Sequence, residues 1–330
     1  MKVLLIGCGL TSTATAYLLR ARIPNIHLTV WEKARGPGGR ASVRRGPKGI
    51  SVDLGVQFIT TDSSALSKYS VIYEQLISTK TLTPMDCKIE GLSKSNNQNN
   101  HFIAPNGTNS LVKYFLNNAN VDCIEFERRV SAITSSGKVI SICGSEEFFD
   151  LIIITVPAPQ ILQMECPMSQ LVRNELEKVT YSTRFTFNMF YEKPIIKEEW
   201  DVKFLDDKTF RYVSIDNRKR GQYDAPDSVI FHTTKEFGET HVTETRESAY
   251  QMLFDKVNEL FPDWPSPELC NVHKWLYSQV VNSYSNSPGC VILNESIPII
   301  AGGDCFTQSN FNGCLESAYT ICETIENLKI

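Results

Sequence analysis

An α/β fold in two domains is what this sequence predicts, and three observations carry the prediction. Lys2–Ile6 is a short β-rich run that leads into Gly7-Cys8-Gly9-Leu10-Thr11-Ser12, after which Ala14, Ala16, Tyr17, Leu18 and Leu19 fall at helical spacing. A second β-rich run, Ile26–Trp31, ends at Glu32, 25 positions beyond Gly7. Further along, Phe185–Tyr191, Arg211–Ile215 and Val229–Thr233 are β-rich stretches that suit a separate mixed sheet. At 330 residues the chain has the length of two ordinary domains.

Strand, glycine turn, helix, strand and acid, in that order, form the βαβ layout of a Rossmann-type dinucleotide site. Gly7 permits the tight turn and Gly9 lets the backbone approach a pyrophosphate, while the helix N-terminus supplies free N–H groups and a partial positive charge. Glu32 is expected to accept hydrogen bonds from the adenosine ribose. The third glycine of the pattern is replaced by Ser12, small enough for close packing of helix on strand.

The segments that follow extend the site. Lys33-Ala34-Arg35-Gly36-Pro37-Gly38-Gly39-Arg40 can wrap a second stretch of phosphate, with Arg40 as a fork-shaped anion partner. Asp53-Leu54-Gly55-Val56-Gln57-Phe58 is a second loop of interest. The middle of the chain reads as a helix over Ser110–Asn117, β-rich runs around Val121–Phe126 and Val139–Ile142, and a strand Leu151–Thr155 ended by Val156-Pro157. Ser93–Asn100 is polar and low in complexity, which predicts an exposed loop. Ser248–Phe261 has the pattern of an amphipathic helix. Near the C-terminus, Pro298-Ile299-Ile300-Ala301-Gly302-Gly303-Asp304 reads as a strand ending in glycines and an acid, with a helix from about Gly313.

The stretch ending at Arg40 resembles the R-x-G-G-R segment of the flavoprotein amine oxidases and their relatives, and Asp53–Phe58 resembles their D-x-G loop beside the flavin. Gly303-Asp304 is similar to the place where these proteins hold the ribityl chain. A narrower resemblance, to a branch of that family, rests on Val30–Ala34, Tyr181–Phe185, Arg211–Arg220, His232–Thr234, Lys274-Trp275 with Ser278–Val280, and Gly302–Cys314. The resemblance implies a p-hydroxybenzoate-hydroxylase-like fold with noncovalent FAD. It also implies oxidation of the 2- and 6-dihydro isomers of NAD(P) to β-NAD(P)+, with O2 reduced to hydrogen peroxide. Spacing and resemblance together assign to FAD the residues Gly7, Gly9, Thr11, Ser12, Glu32, Lys33, Gly39, Arg40, Gln57, Phe58, Val130, Pro157, Gly303, Asp304, Ser309, Asn310 and Phe311. On this reading residues 1–65, 108–165 and 275–330 form the FAD domain, and 66–107 with 166–274 form a substrate domain whose sheet roofs the flavin.

Hydride transfer from a dihydronicotinamide needs orientation and a pocket that excludes water rather than a nucleophile. Candidates for that work are His232, facing a nicotinamide carboxamide or simply hydrogen-bonded and half-buried; Trp275 and Phe311 as pocket walls; and Arg211 and Asn217 as contacts to the dinucleotide. Arg218-Lys219-Arg220 reads as a solvated loop. His27, His101, His241 and His273 lack ligand spacing, so no metal is expected. Cys290 follows only one glycine, so a covalent flavin tether there is not favoured.

With 33 basic against 37 acidic residues the net charge is −4, which argues against a nucleic-acid partner and for a substrate-level one; the resemblance implies that this is a small-molecule dinucleotide, with O2. A composition of 42% hydrophobic and 21% charged residues suits neither a disordered chain nor a membrane protein. Ten scattered cysteines without a C-x-x-C pair read as reduced thiols. Val3–Ile6 is too short for the apolar core of a signal peptide, so a cytoplasmic location is expected, with unconventional export left open. Two alternatives stand beside the leading reading: an amine oxidase, and a secreted signalling protein in which FAD is structural.

Overall fold

In a computed structural model that describes residues 1–91 and 99–328, the chain divides into two units, Met1–Gly39 with Leu111–Tyr181 and Val280–Ile330, and Arg40–Ser110 with Ser182–Gln279. In the first unit β1 (Lys2–Ile6) sits between Leu151–Ile154 and β2 (His27–Trp31). The strand order is Cys290–Asn294, Ile299–Gly302, Leu151–Ile154, β1, β2, Cys123–Glu125. Neighbours run parallel, except that Cys290–Asn294 is antiparallel to Ile299–Gly302. Leu151–Ile154 is buried along its whole length, as an unbroken apolar run must be when both sheet faces are covered. Helix α1 (Leu10–Arg22) packs against the C-terminal helix Phe311–Asn327. An antiparallel sheet of Val130–Ile133, Lys138–Ser141 and Glu146–Phe148 completes the unit's β-structure together with the pair Thr180–Tyr181 and Val280–Asn282.

The second unit is built on a six-stranded sheet ordered Leu269–Trp275, Arg184–Phe190, Ser228–Thr233, Phe210–Ile215, Val202–Phe204, Ile89–Glu90, antiparallel but for the last pair. Side chains alternate across it. Phe185, Phe187, Met189, Val229 and Phe231 pack with Leu253 and Val257 of the helix Arg246–Leu260. That helix starts two residues before the expected Ser248, because the Thr245 hydroxyl accepts the Ser248 N–H at 3.1 Å and caps it there. Phe190, Tyr212 and Ile230 lie on the other face with Val52 and Leu54.

The observed bounds differ from all four expected domain cuts. Residues 40–65 and 108–110 belong with the second unit, since Ser51–Asp53 packs on Ser228–Thr233 and on the short helix Asp216–Lys219. Residues 166–181 belong with the first, because Gln170–Glu177 packs on Ala158–Leu162 and Thr180–Tyr181 pairs with Val280–Asn282. Trp275 closes a strand of the second sheet and carries 275–279 with it. Most of Ser93–Asn100 lies outside the described residues; Asn100 opens the strand Asn100–Ile103.

Candidate functional site

The glycine turn stands at the carboxyl ends of β1, Leu151–Ile154 and Ile299–Gly302, the edge where open α/β sheets bind ligands. Gly7 has φ +100°, and a Cβ there would sit 3.2 Å from Thr155 Oγ1 and Val156 Cγ1. Gly303, φ +130°, lies on the other side of Thr155, so the two glycine segments converge on one residue. A Cβ on Gly9 would meet no atom of the described residues within 4 Å. Gly9 is also the N-cap of α1, with no side-chain hydrogen bond to the first turn, which leaves that turn's N–H groups as donors. Beside Thr11, the Ser12 hydroxyl is buried without a hydrogen-bond partner among the described residues.

Glu32 is pinned behind this turn: Oε2 accepts the Cys8 N–H at 2.7 Å and Oε1 the Ala34 N–H at 2.8 Å. Burial, and secondarily the Glu32 charge, push the Cys8 thiol up to about 12, so it stays neutral. Gly38 N–H donates to Cys8 O at 2.8 Å, and Gly39 lies against Gly9. Ser309 Oγ donates to the buried Asp304 at 2.7 Å and accepts from Val280 N–H at 3.2 Å. Asn310 caps the C-terminal helix by accepting the Gly313 N–H at 2.7 Å, and Phe311 opens that helix, buried. Val130 is buried at the start of its strand, and Pro157 caps Ala158–Leu162. Lys33 points outward, its Nζ on Gln160 Oε1 at 2.9 Å. The bare Gly9 surface, the uncapped first turn and the Ser12 hydroxyl suit the pyrophosphate of a dinucleotide.

The second unit holds Arg40, Gln57, Phe58, Arg211, Asn217, His232 and Trp275. A Cβ on Gly55 would fall 2.1 Å from Arg40 O, which also accepts the Val56 N–H at 3.0 Å, so the loop 53–58 lies directly on the Arg40 backbone. Trp275 Nε1 donates to Leu54 O at 3.1 Å, and Phe58 meets His101 edge-on at 5.7 Å. On one sheet face His273, Thr186, His232 and Tyr212 follow one another in register across four strands. Thr186 Oγ1, both amide atoms of Asn188 and His232 Nε2 are shut off from solvent and have no hydrogen-bond partner among the described residues. Burial first, then the charges of Lys219, Arg184 and Arg211, lower the His232 pKa to about 3, with Asp216 pulling the other way. Arg184 donates to Thr233 O at 2.9 Å, and its pKa falls to about 10 through burial and the nearby Arg211. Arg211 is exposed, at an irregularity of its strand.

Two expectations are corrected. Asn217 does not offer its amide to a dinucleotide: Nδ2 donates to Gln222 O at 3.1 Å and Ala225 O at 3.3 Å, Oδ1 accepts the Ser228 N–H at 3.0 Å, and the residue is buried. Arg218-Lys219-Arg220 is not a solvated loop, because Lys219 and Arg220 are buried on Asp53 and Asp216 while Arg218 bonds Glu198 O and Asp227. The signal was present in Asp216, Lys219 and Arg220 at i, i+3 and i+4, the spacing of one helical face. The polar row was missed as a row, because Thr186, His232 and Tyr212 meet only through strand pairing. Cys290 is buried, 3.3 Å from Thr324 Oγ1, with its pKa raised by burial.

Residues 5–71 match the model of an NAD(P)-binding Rossmann-like domain, and residues 78–325 match that of the flavin-containing amine oxidoreductases. Renalase of Mus musculus is 34% identical over 340 aligned residues that cover 98% of each chain. A protein of Exiguobacterium sp. 255-15, provisionally assigned as a protoporphyrinogen oxidase, superposes with a TM-score of 0.74 at 13% identity, covering 99% of this chain and 98% of the other. A Pyrococcus furiosus protein gives 0.65 at 12% identity, covering 100% and 98%. At such identities the two solved structures speak for the fold alone. Among the described residues no helix is long and apolar enough to cross a membrane.

Proposed function

The chain belongs to the family of flavin-containing amine oxidoreductases, is renalase-like within it and takes FAD as its cofactor; from that premise we propose that it oxidises the 2- and 6-dihydro isomers of NAD(P) to β-NAD(P)+. In this reading the first unit is the FAD domain, the second the substrate domain, and the fold is of the p-hydroxybenzoate-hydroxylase kind. Bound FAD supplies a two-electron acceptor that takes the hydride and hands its electrons to O2, giving hydrogen peroxide and leaving the substrate as the aromatic pyridinium.

The chain's own residues bind and orient. The α1 N-terminus with Gly9 and Ser12 holds the pyrophosphate, Glu32 accepts from the adenosine ribose through lone pairs its backbone donors leave over, and Asp304 with Ser309 meets the ribityl hydroxyls. Of the polar row Thr186, Asn188, His232 and Tyr212, His232 is the member that is only partly buried and would meet the substrate, and its neutral ring carries one donor and one acceptor. Arg184 and Arg211 attract its phosphates, and Trp275 walls the pocket.

One observation carries the choice of substrate. Arg184 and the exposed Arg211 both act on His232, while Lys219 is balanced in the interior by Asp53 and Asp216. An anionic dinucleotide is drawn to such a face, whereas a protonated amine is repelled. Anaerobic mixing of the holoenzyme with 6-dihydroNAD should bleach the flavin rapidly while phenethylamine and benzylamine leave it oxidised. Bleaching by the amines alone would replace this reading with that of an amine oxidase.

A further inference from the structure

Four charges lie together inside the second unit: Asp53 is 1% exposed, Asp216 and Lys219 0%, and Arg220 8%. Lys219 Nζ stands 2.5 Å from Asp216 Oδ1 and 3.5 Å from Asp53 Oδ2. Arg220 reaches Asp53 Oδ2 at 2.9 Å and Asp216 Oδ2 at 2.5 Å. Two carboxylates and two cations balance, which is the condition for keeping such groups out of water. The set is tied to the chain around it. Thr108 donates its N–H and hydroxyl to Asp53 Oδ1 at 2.7 and 3.0 Å, and the Asp53 N–H donates to Asp216 Oδ2 at 3.1 Å.

Charge balance does not account for the third contact of Lys219. An ammonium carries three donors, and here the remaining one goes to an uncharged acceptor, Gln57 Oε1, at 3.0 Å. With its oxygen held by a cation, and by Ser214 Oγ at 3.5 Å, the Gln57 carboxamide has a single orientation. Its Nε2 is turned back to the carbonyls of Asp53 and, at 3.4 Å, Gly55. The same ammonium therefore grips both ends of the loop Asp53–Phe58: Asp53 by its carboxylate and Gln57 by its carboxamide.

We infer that Lys219 is a positioning residue: its buried ammonium fixes the Gln57 carboxamide, and through it the loop that meets the cofactor. This rests on the reading of Gln57 as a residue that contacts FAD, and it acts on binding rather than on turnover.

A double-mutant cycle on FAD retention tests it. Holoenzyme is prepared as wild type, as Gln57→Leu, as the charge-balanced pair Asp216→Asn with Lys219→Gln, and as all three changes together. Release of FAD on dilution is followed by the rise in free-flavin fluorescence. The carboxamide change and the charge-balanced pair should each loosen FAD about tenfold, and the combination should also cost about tenfold, because both remove one shared interaction. A combined loss near a hundredfold would mean independent effects and overturn the inference, as would unchanged retention in a folded charge-balanced pair. Lys219→Arg, which keeps a cation against both carboxylates but displaces the donor, guards against a pair that fails to fold. It should fold and loosen FAD severalfold, and wild-type retention in it would equally overturn the inference. Failure of the dihydronicotinamide reading would appear as absent turnover in wild type and leave these retention values unmoved.

Discussion

His232 shows how a residue can carry an environment that its letter in the sequence does not reveal. Its pKa falls from 6.5 to about 3 through burial and three neighbouring cations, and that of His273 to about 4 through burial with Arg246 and Arg44. Both are therefore neutral in the folded chain at any physiological pH. In the unfolded chain they take up protons near pH 6.5, so the unfolded state binds more protons between that value and the folded one. Stability conferred by the neutral rings is complete above about pH 6.5 and is lost as the pH falls toward 3, at up to about 1.4 kcal/mol per unit for each histidine. Denaturant midpoints measured from about pH 7 down to about pH 5 should thus fall more steeply in wild type than in His232→Asn. Equal slopes in the two proteins would show that the ring is charged, or exposed, in the folded state.

At the scale of elements, the strand, glycine turn and helix are legible because their chemistry is local. Gly7, Gly9 and Glu32 are separated by one βαβ unit, and the observed β1 has the expected bounds. The glycines nonetheless do different work. Gly9→Ala adds a methyl group where no atom of the described residues stands within 4 Å, so the thermal midpoint should hold while FAD affinity falls at least tenfold, through loss of the close backbone approach. Gly55→Ala drives its methyl into Arg40 O at 2.1 Å, and both stability and FAD affinity should drop. Titration of apoprotein with FAD beside a thermal melt separates the two cases, and a stable Gly55→Ala with normal affinity would refute the packing argument. The C-terminal helix gives a milder test. Asn310→Ala removes the cap on Gly313 N–H and should lower unfolding free energy by about 1 kcal/mol, read from denaturant melts. What the sequence does not reveal is contact between distant strands. Thr186, His232, Tyr212 and His273 form a row only because three strand pairings bring them into register, and Lys219 is buried only because Asp53, 166 positions away, is folded against it.

For the whole molecule the question is how a chain with a net charge of −4 handles an anion. Global charge would slow the approach of a dinucleotide, but the potential near the sheet face is set by closer groups. Arg184 and Arg211 act there on His232, and the sequence alone misjudged a third cation, since Lys219 lies in the interior, balanced by Asp53 and Asp216. Exposed Arg211 is then the charge best placed to steer, and the buried ones fix local binding. Steering between exposed charges is screened beyond about 8 Å at physiological ionic strength, whereas contacts inside the site are not. The kcat/KM for 6-dihydroNAD should therefore fall severalfold from low to high salt, while that for the uncharged 6-dihydronicotinamide riboside should stay flat. Arg211→Gln should remove most of the salt dependence and leave the riboside unchanged. A salt response equal for both substrates would point to a general effect on folding or FAD retention, and a flat response for both would mean that the cationic face recognises phosphate only after contact.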